Sequence, residues 1–147
     1  MSVKAIKPWL IPSYWGFVEK YIADALEHAH GELETSDIHD YLLAERMFLF
    51  VAQGRRVCGA ATCEVVQYVR KKAIRVVTLG GQDFDSWRGP LNEALASWGK
   101  DIGADRIEAY VRKGLVLQLE QIGYRQTYVG MAFEVENGKE ARTADGQ

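Results

Sequence analysis

Between Met47 and Leu79 three apolar stretches follow one another with only short polar breaks. MFLFVAQ (Met47 to Gln53) reaches the turn Gly54-Arg55. RVCGAATCEVVQYV (Arg56 to Val69) reaches the basic turn Arg70-Lys71-Lys72, and AIRVVTL (Ala73 to Leu79) follows. Runs this rich in β-branched and aromatic residues, joined by turns this short, form antiparallel neighbours. The chain must therefore build a sheet around a three-strand meander. The remaining segments have to cover its faces.

Those segments alternate in period. Val3 to Trp9 reads as a short first strand. Pro12-Ser13 opens a helix, with Ser13 as its cap and Trp15, Val18, Ile22, Ala25 and Leu26 at helical spacing, ending near Gly31. Thr35-Ser36-Asp37 caps a second helix through about Glu45, with Ile38, Tyr41 and Leu42 on one face. After the meander, Leu91, Leu95, Trp98 and Ile102 form a helical stripe that stops at Gly103. Ala104 to Arg112 is a strand, Leu115, Leu119 and Ile122 mark a short helix closed by Gly123, and Tyr124 to Glu136 is a final strand or bent hairpin. The order β-α-α-β-β-β-α-β-α-β predicts an α/β (α+β) fold: a mixed, mostly antiparallel twisted sheet of six to seven strands with about four helices on both faces. One domain is expected over residues 1–136, with a polar tail over 137–147 reading as disordered.

Apolar residues make up 48% of the chain and charged ones 26%, the balance of an ordinary globular domain. The net charge of −2 gives no basic surplus for non-specific nucleic-acid binding, so nucleic acid is not an expected partner, and a three-residue basic turn reads as a solvated hairpin end. No apolar run reaches a membrane span, and MSVKAIKPWLIPSYW has no signal-peptide core, so a cytoplasmic location and no membrane partner are expected. Cys58 and Cys63 fall five residues apart in one strand, about 16 Å at 3.3 Å per residue and on opposite faces, so two reduced thiols are expected. HAHGELE carries metal-binding residue types, but His28 and His30 point about 200° apart on a helix; a solvated helix end and no metal are expected.

The stretch GGQDFDSWRGPLNEAL, Gly80 to Leu95, joins a strand to a helix, a place where α/β proteins hold anions on helix N–H groups. Two readings stand side by side. Either Asp85 or Ser86 caps a helix with Pro90 in its first turn, and Gly80-Gly81 is only a turn, or the loop is a modified phosphate seat in which Arg88 offsets the repulsion of Asp83 and Asp85.

In order and in local sequence the chain resembles the GNAT superfamily of acyl-CoA-dependent N-acyltransferases, from Val3 to Val135. WRGPLNEALASWGKDIGADRIEAYV is similar to that family's coenzyme-binding helix and fifth strand, and VRKGLVLQLEQIGYR to its fourth helix and closing Gly-aromatic pair. Arg112-Lys113-Gly114 resembles an element of the short, divergent GNAT-like proteins of tailed bacteriophages. The resemblance implies transfer of an acyl group from acetyl-CoA or another acyl-CoA to an amine acceptor. It also implies an alternative, an inactive phage scaffold with a structural, morphogenesis or host-interaction role; a homodimer or a phage or host protein is the further partner class. It places the coenzyme along Val77, Thr78 and Leu79 and at Gly80, Gly81, Gln82, Trp87, Arg88, Gly89 and Arg112. The family's loop pattern Arg/Gln-x-x-Gly-x-Gly/Ala is broken here: Asp85 and Trp87 stand where its glycines belong. Its acid tyrosine corresponds to Leu119 and its asparagine to Arg112. Glu64 as a base, and Tyr124 or Tyr128 as a proton donor, are the substitutes, each with a plainer reading as a surface or packing residue.

Overall fold

A computed structural model describes residues 1–137. Nine regular elements follow the expected order: β1 Ser2–Ile6, α1 Ile11–Leu26, α2 Thr35–Leu43, β2 Phe48–Gln53, β3 Val57–Gln67, β4 Lys72–Gly81, α3 Phe84–Ile102, β5 Arg106–Ala109 and α4 Val116–Glu120. The strands form one five-stranded sheet in sequential order. Each pair is antiparallel except β4 with β5, which is parallel and crosses over through α3.

Alternation along the strands divides the interior into two layers. On one face α1 and α2 bury Val18, Ile22, Ile38 and Leu42 against Leu49, Val51 and Ala60. On the other, α3 buries Trp87, Leu91 and Leu95 against Phe50, Ala61, Cys63, Ile74 and Val76. The helical stripes expected from the sequence supply both layers.

Several expectations need correction. The sheet has five strands rather than six to seven, because Tyr124 to Glu136 forms no strand among the described residues. The first strand ends at Ile6 and gives way to a 3-10 turn at Pro8–Leu10, where proline cannot donate to a ladder. The cap of α2 is Glu34, whose N–H donates to the Asp37 carboxylate at 2.8 Å, a reciprocal arrangement one residue earlier than Thr35. Neither Asp85 nor Ser86 opens α3. Asp83 does, in the left-handed region at φ 55, and Ser86 Oγ donates back to its carbonyl at 2.7 Å. Pro90 lies in the second turn, where it removes the N–H that would bond the Ser86 carbonyl. A bulge at Cys58, between the pairs Ala52↔Gly59 and Gln53↔Val57, breaks the alternation of β3, so Cys58 and Cys63 pack on the same α3 face instead of opposite ones; both thiols are free. The tail beyond Asn137 lies outside the described residues.

Candidate functional site

The parallel ladder between β4 and β5 has four register positions, Ala73↔Arg106 to Val76↔Ala109. There β5 ends. β4 continues for five residues to Gly81, paired only with β3 through Leu79↔Ala61 and Gly81↔Gly59. Along Val77 to Gly81, backbone groups that a fifth strand would use therefore face an open fork. A cleft of about 990 Å³ fills it, bounded by Thr78 and Leu79, by Tyr110 and Arg112 beyond β5, and by the loop after α1 at His28 and Glu32. On the α3 side the same fork is nearly closed. Leu91, Leu119 and Tyr124 leave a void of about 10 Å³ there, room for one water. Val76, Leu79, Ala109, Leu119 and Tyr124 border both spaces and so form the floor of the fork.

Tyr124 is the best-placed of the proposed proton donors. Its N–H bonds the Leu119 carbonyl at 3.1 Å, closing α4, and its hydroxyl donates to Asn92 Oδ1 at 2.9 Å. Burial, with a smaller contribution from Cys63, pushes its pKa up to about 12, so the phenol keeps its proton at neutral pH. Tyr128, the other proposed donor, borders the cleft but is 82% exposed. Glu64 stands in a row across three strands, Glu64↔Arg75↔Glu108, one position before the fork opens. Arg75 lies 3.5 Å from Glu64 and 3.0 Å from Glu108, and Tyr68 Oη donates to Glu108 at 2.6 Å. Glu108, rather than Glu64, borders the cleft. Partial burial works to raise its pKa, but hydrogen bonds from Tyr68, Arg75 and Arg106 outweigh that and hold the carboxyl below its usual range.

The sequence reading missed Arg75, Glu108, Tyr68 and Asn92. For the first two a signal existed. AIRVVTL and RIEAYV each set one charge between apolar neighbours in a strand, which calls for a cross-strand partner of opposite sign.

The β4–α3 connection has other work. A Cβ on Gly59 would fall on the Trp87 ring, one on Gly81 would fall on the Gly59 backbone, and one on Gly80 would fall on the Tyr21 carbonyl. Gly80 and Gly81 thus let β4 approach α1 and β3. Trp87 is 1% exposed and donates its indole N–H to the Gln82 carbonyl at 2.8 Å, while the Gln82 N–H is taken by Cys58. Arg88 donates to Gln121 Oε1 at 2.6 Å and to the Gln118 carbonyl at 3.2 Å, and lies 3.5 Å from Asp85. It ties α3 to α4. Gly89 sits inside α3 with open space where a side chain would be. Of the ten residues proposed to hold a coenzyme, the fork brings together Val77, Thr78, Leu79 and Arg112. The other six lie in the β4–α3 connection and the start of α3, outside the lining of the cleft.

No protein-family model matches the chain, and no curated protein matches it by sequence. Solved structures do match. One described as a probable acetyltransferase superposes with a TM-score of 0.70 at 12% identity, over 93% of this chain and 99% of that one. The fold is that of the GNAT acyltransferases. An aminoglycoside acetyltransferase, meta-AAC0020 from an uncultured soil metagenomic sample, shares this GNAT fold with a TM-score of 0.65 at 13% identity, over 92% and 96% of the two chains. So does a transcriptional regulator from Bacillus halodurans C-125, with a TM-score of 0.61 at 14% identity, over 91% and 99%. At such identities the shared property is the GNAT fold, which carries more than one activity. No group of three or more His, Cys, Asp or Glu able to hold a metal occurs among the described residues, and no described helix is long and apolar enough to cross a membrane.

Proposed function

We infer that the chain is an N-acyltransferase that takes its acyl group from acyl-CoA and passes it to an amine without a covalent intermediate.

 

The acceptor amine, neutral when it attacks, adds directly to the acyl carbonyl; it gives up its proton and the CoA thiolate leaves. The observation that carries this reading is the parting of β4 and β5 after Val76↔Ala109, which leaves strand backbone facing a cleft at the point where an extended thioester arm needs hydrogen-bonding partners. Acyl-CoA, when bound, supplies the thioester that the amine attacks. The fork fits the thin arm of that group. The β4–α3 connection fits its phosphates poorly, because Trp87 packing, the Arg88 contacts and Pro90 leave few free donors there.

The chain's own groups have separable tasks. Tyr124, protonated and on the floor of the fork, is the donor for the leaving sulfur. The cleft is bordered by Glu32, Glu108 and Glu120 and also by Arg106, Arg112, Lys113 and Arg125, a rim of mixed sign. Glu64 is the carboxylate proposed for removal of the amine proton, acting through water because it pairs with Arg75 and does not itself border the cleft. Aminoglycosides, the class that meta-AAC0020 acts on, are the acceptors to try first.

The test is calorimetric titration with acetyl-CoA, followed by thiol release with a panel of polyamines and aminoglycosides. Micromolar binding and amine-dependent thiol release are expected. Absence of heat at millimolar acetyl-CoA would instead support the second reading, a GNAT scaffold without chemistry, of the kind found in phage GNAT-like proteins. That reading draws on Trp87 and Arg88 being committed to packing and on Leu119 standing where the family carries tyrosine.

A further inference from the structure

The outer face of α1 packs against nothing in its own domain. The 3-10 turn Pro8–Leu10 runs straight into the helix, with Leu10 and Ile11 already helical. At about 100° per residue, Trp9, Ser13, Gly16, Lys20 and Glu27 fall on one side, opposite the buried Val18 and Ile22. Those five are exposed. Trp9 is 73% exposed, and Phe17, at the edge of this side, is 60% exposed. Two aromatic side chains this open on one helix are the material of an interface core rather than of a solvated face. Gly16 lies along the helix between them. A Cβ there would meet nothing within 4 Å, so no neighbour in the same copy calls for the glycine, although glycine inside a helix is destabilising. It leaves a notch beside Phe17.

The charges of this segment run against its own helix. Lys4 and Lys7 stand at the amino end, Asp24 and Glu27 at the carboxyl end, and Glu19 and Lys20 between them cancel. A helix dipole favours the reverse, anions at its start and cations at its end. Among the described residues Lys7, Asp24 and Glu27 form no ion pair. The same order becomes favourable against an identical helix laid antiparallel, where each basic end meets an acidic one. A two-fold axis at Gly16 sets Phe17 of each copy over the Gly16 notch of the other and brings Lys7 to Glu27.

We propose that the outer face of α1 docks a second copy of the chain, the two α1 helices crossing antiparallel about a two-fold axis at Gly16. Such a contact is self-complementary and closed, so it gives a dimer and not a filament. The pairing brings the partner's Trp9 alongside Asp24 and Glu27. Ala25, Leu26 and His28, which border the fork cleft, are their sequence neighbours, so the aromatic ring of one copy stands beside the cleft rim of the other. The proposal stands on α1 alone, independently of acyl transfer.

The experiment is sedimentation equilibrium of the full chain as wild type, Gly16→Glu, Lys7→Glu and Lys7→Glu/Glu27→Lys, with circular dichroism to follow the fold. The variants do not weaken the single copy. Glutamate is a better helix former than glycine and pairs with Lys20 four residues on, and each reversal aligns a charge with the helix dipole. The expected result is a wild-type dimer with a dissociation constant in the micromolar range, and a monomer for Gly16→Glu, where two carboxylates meet across the axis. Lys7→Glu should associate about ten-fold more weakly, and the double reversal should regain the loss. A wild type that is monomeric at about 100 µM overturns the proposal. So does a Gly16→Glu variant that dimerises like the wild type, or a double reversal as weak as Lys7→Glu, since the association then uses another surface.

Discussion

Tyr124 carries the sharpest expectation for a single residue. Tyr124→Phe keeps the ring and loses only the hydroxyl that reaches Asn92. A hydrogen bond of this type contributes about 1 kcal/mol to stability, whereas loss of a general acid lowers turnover by about 10² or more. Steady-state kinetics with thermal unfolding separates the two: kcat should fall far more than Tm. Glu108 is tested by pH. Its folded pKa lies below the unfolded value of about 4.3, so its contribution to stability is present above that pH and is lost as pH falls through the folded value. Thermal unfolding of Glu108→Gln should lose part of the acid-side decline seen in the wild type. Gly59→Ala addresses packing. The added methyl meets the Trp87 ring, and overpacking of this kind costs about 1–3 kcal/mol, measurable by denaturant titration. Which residues do these jobs was only partly legible. The sequence brings out Tyr124 through its position after Gly123, but Asn92 and Arg75 gain meaning only when α3 and β5 are set beside them, and no local pattern encodes that adjacency.

The elements were more legible than their ends. Periodicity placed the helices and the meander because a buried stripe and a buried run have different repeats. It placed the start of α3 wrongly because Asp83 reaches the left-handed region that usually belongs to glycine. It gave 124–136 a strand because alternation reports what a segment would do on a sheet, and among the described residues that segment joins none. The α3–α4 contact offers a test of its own. Asp85 holds Arg88 and also accepts from Gln118 at 3.1 Å. Asp85→Asn removes one negative charge from the helix start and loosens Arg88. For a phosphate seated there the gain is about 1 kcal/mol, or roughly five-fold tighter acetyl-CoA binding by calorimetry.

For the molecule as a whole, the five-stranded sheet with α1 and α2 on one face and α3 on the other is a scaffold that forks between β4 and β5. The two faces are not equivalent there: α4 and Tyr124 close one, and the other is open. A ligand arm in the fork would take up backbone groups of Val77 to Gly81 that β5 leaves free. Hydrogen exchange of that segment, followed with and without saturating acetyl-CoA, reads this out. Slowed exchange across Val77–Gly81 on ligand addition, with the distant β1–β2 pair unchanged, is the expected result. Saturating acetyl-CoA that leaves Val77–Gly81 exchanging as fast as before would contradict it.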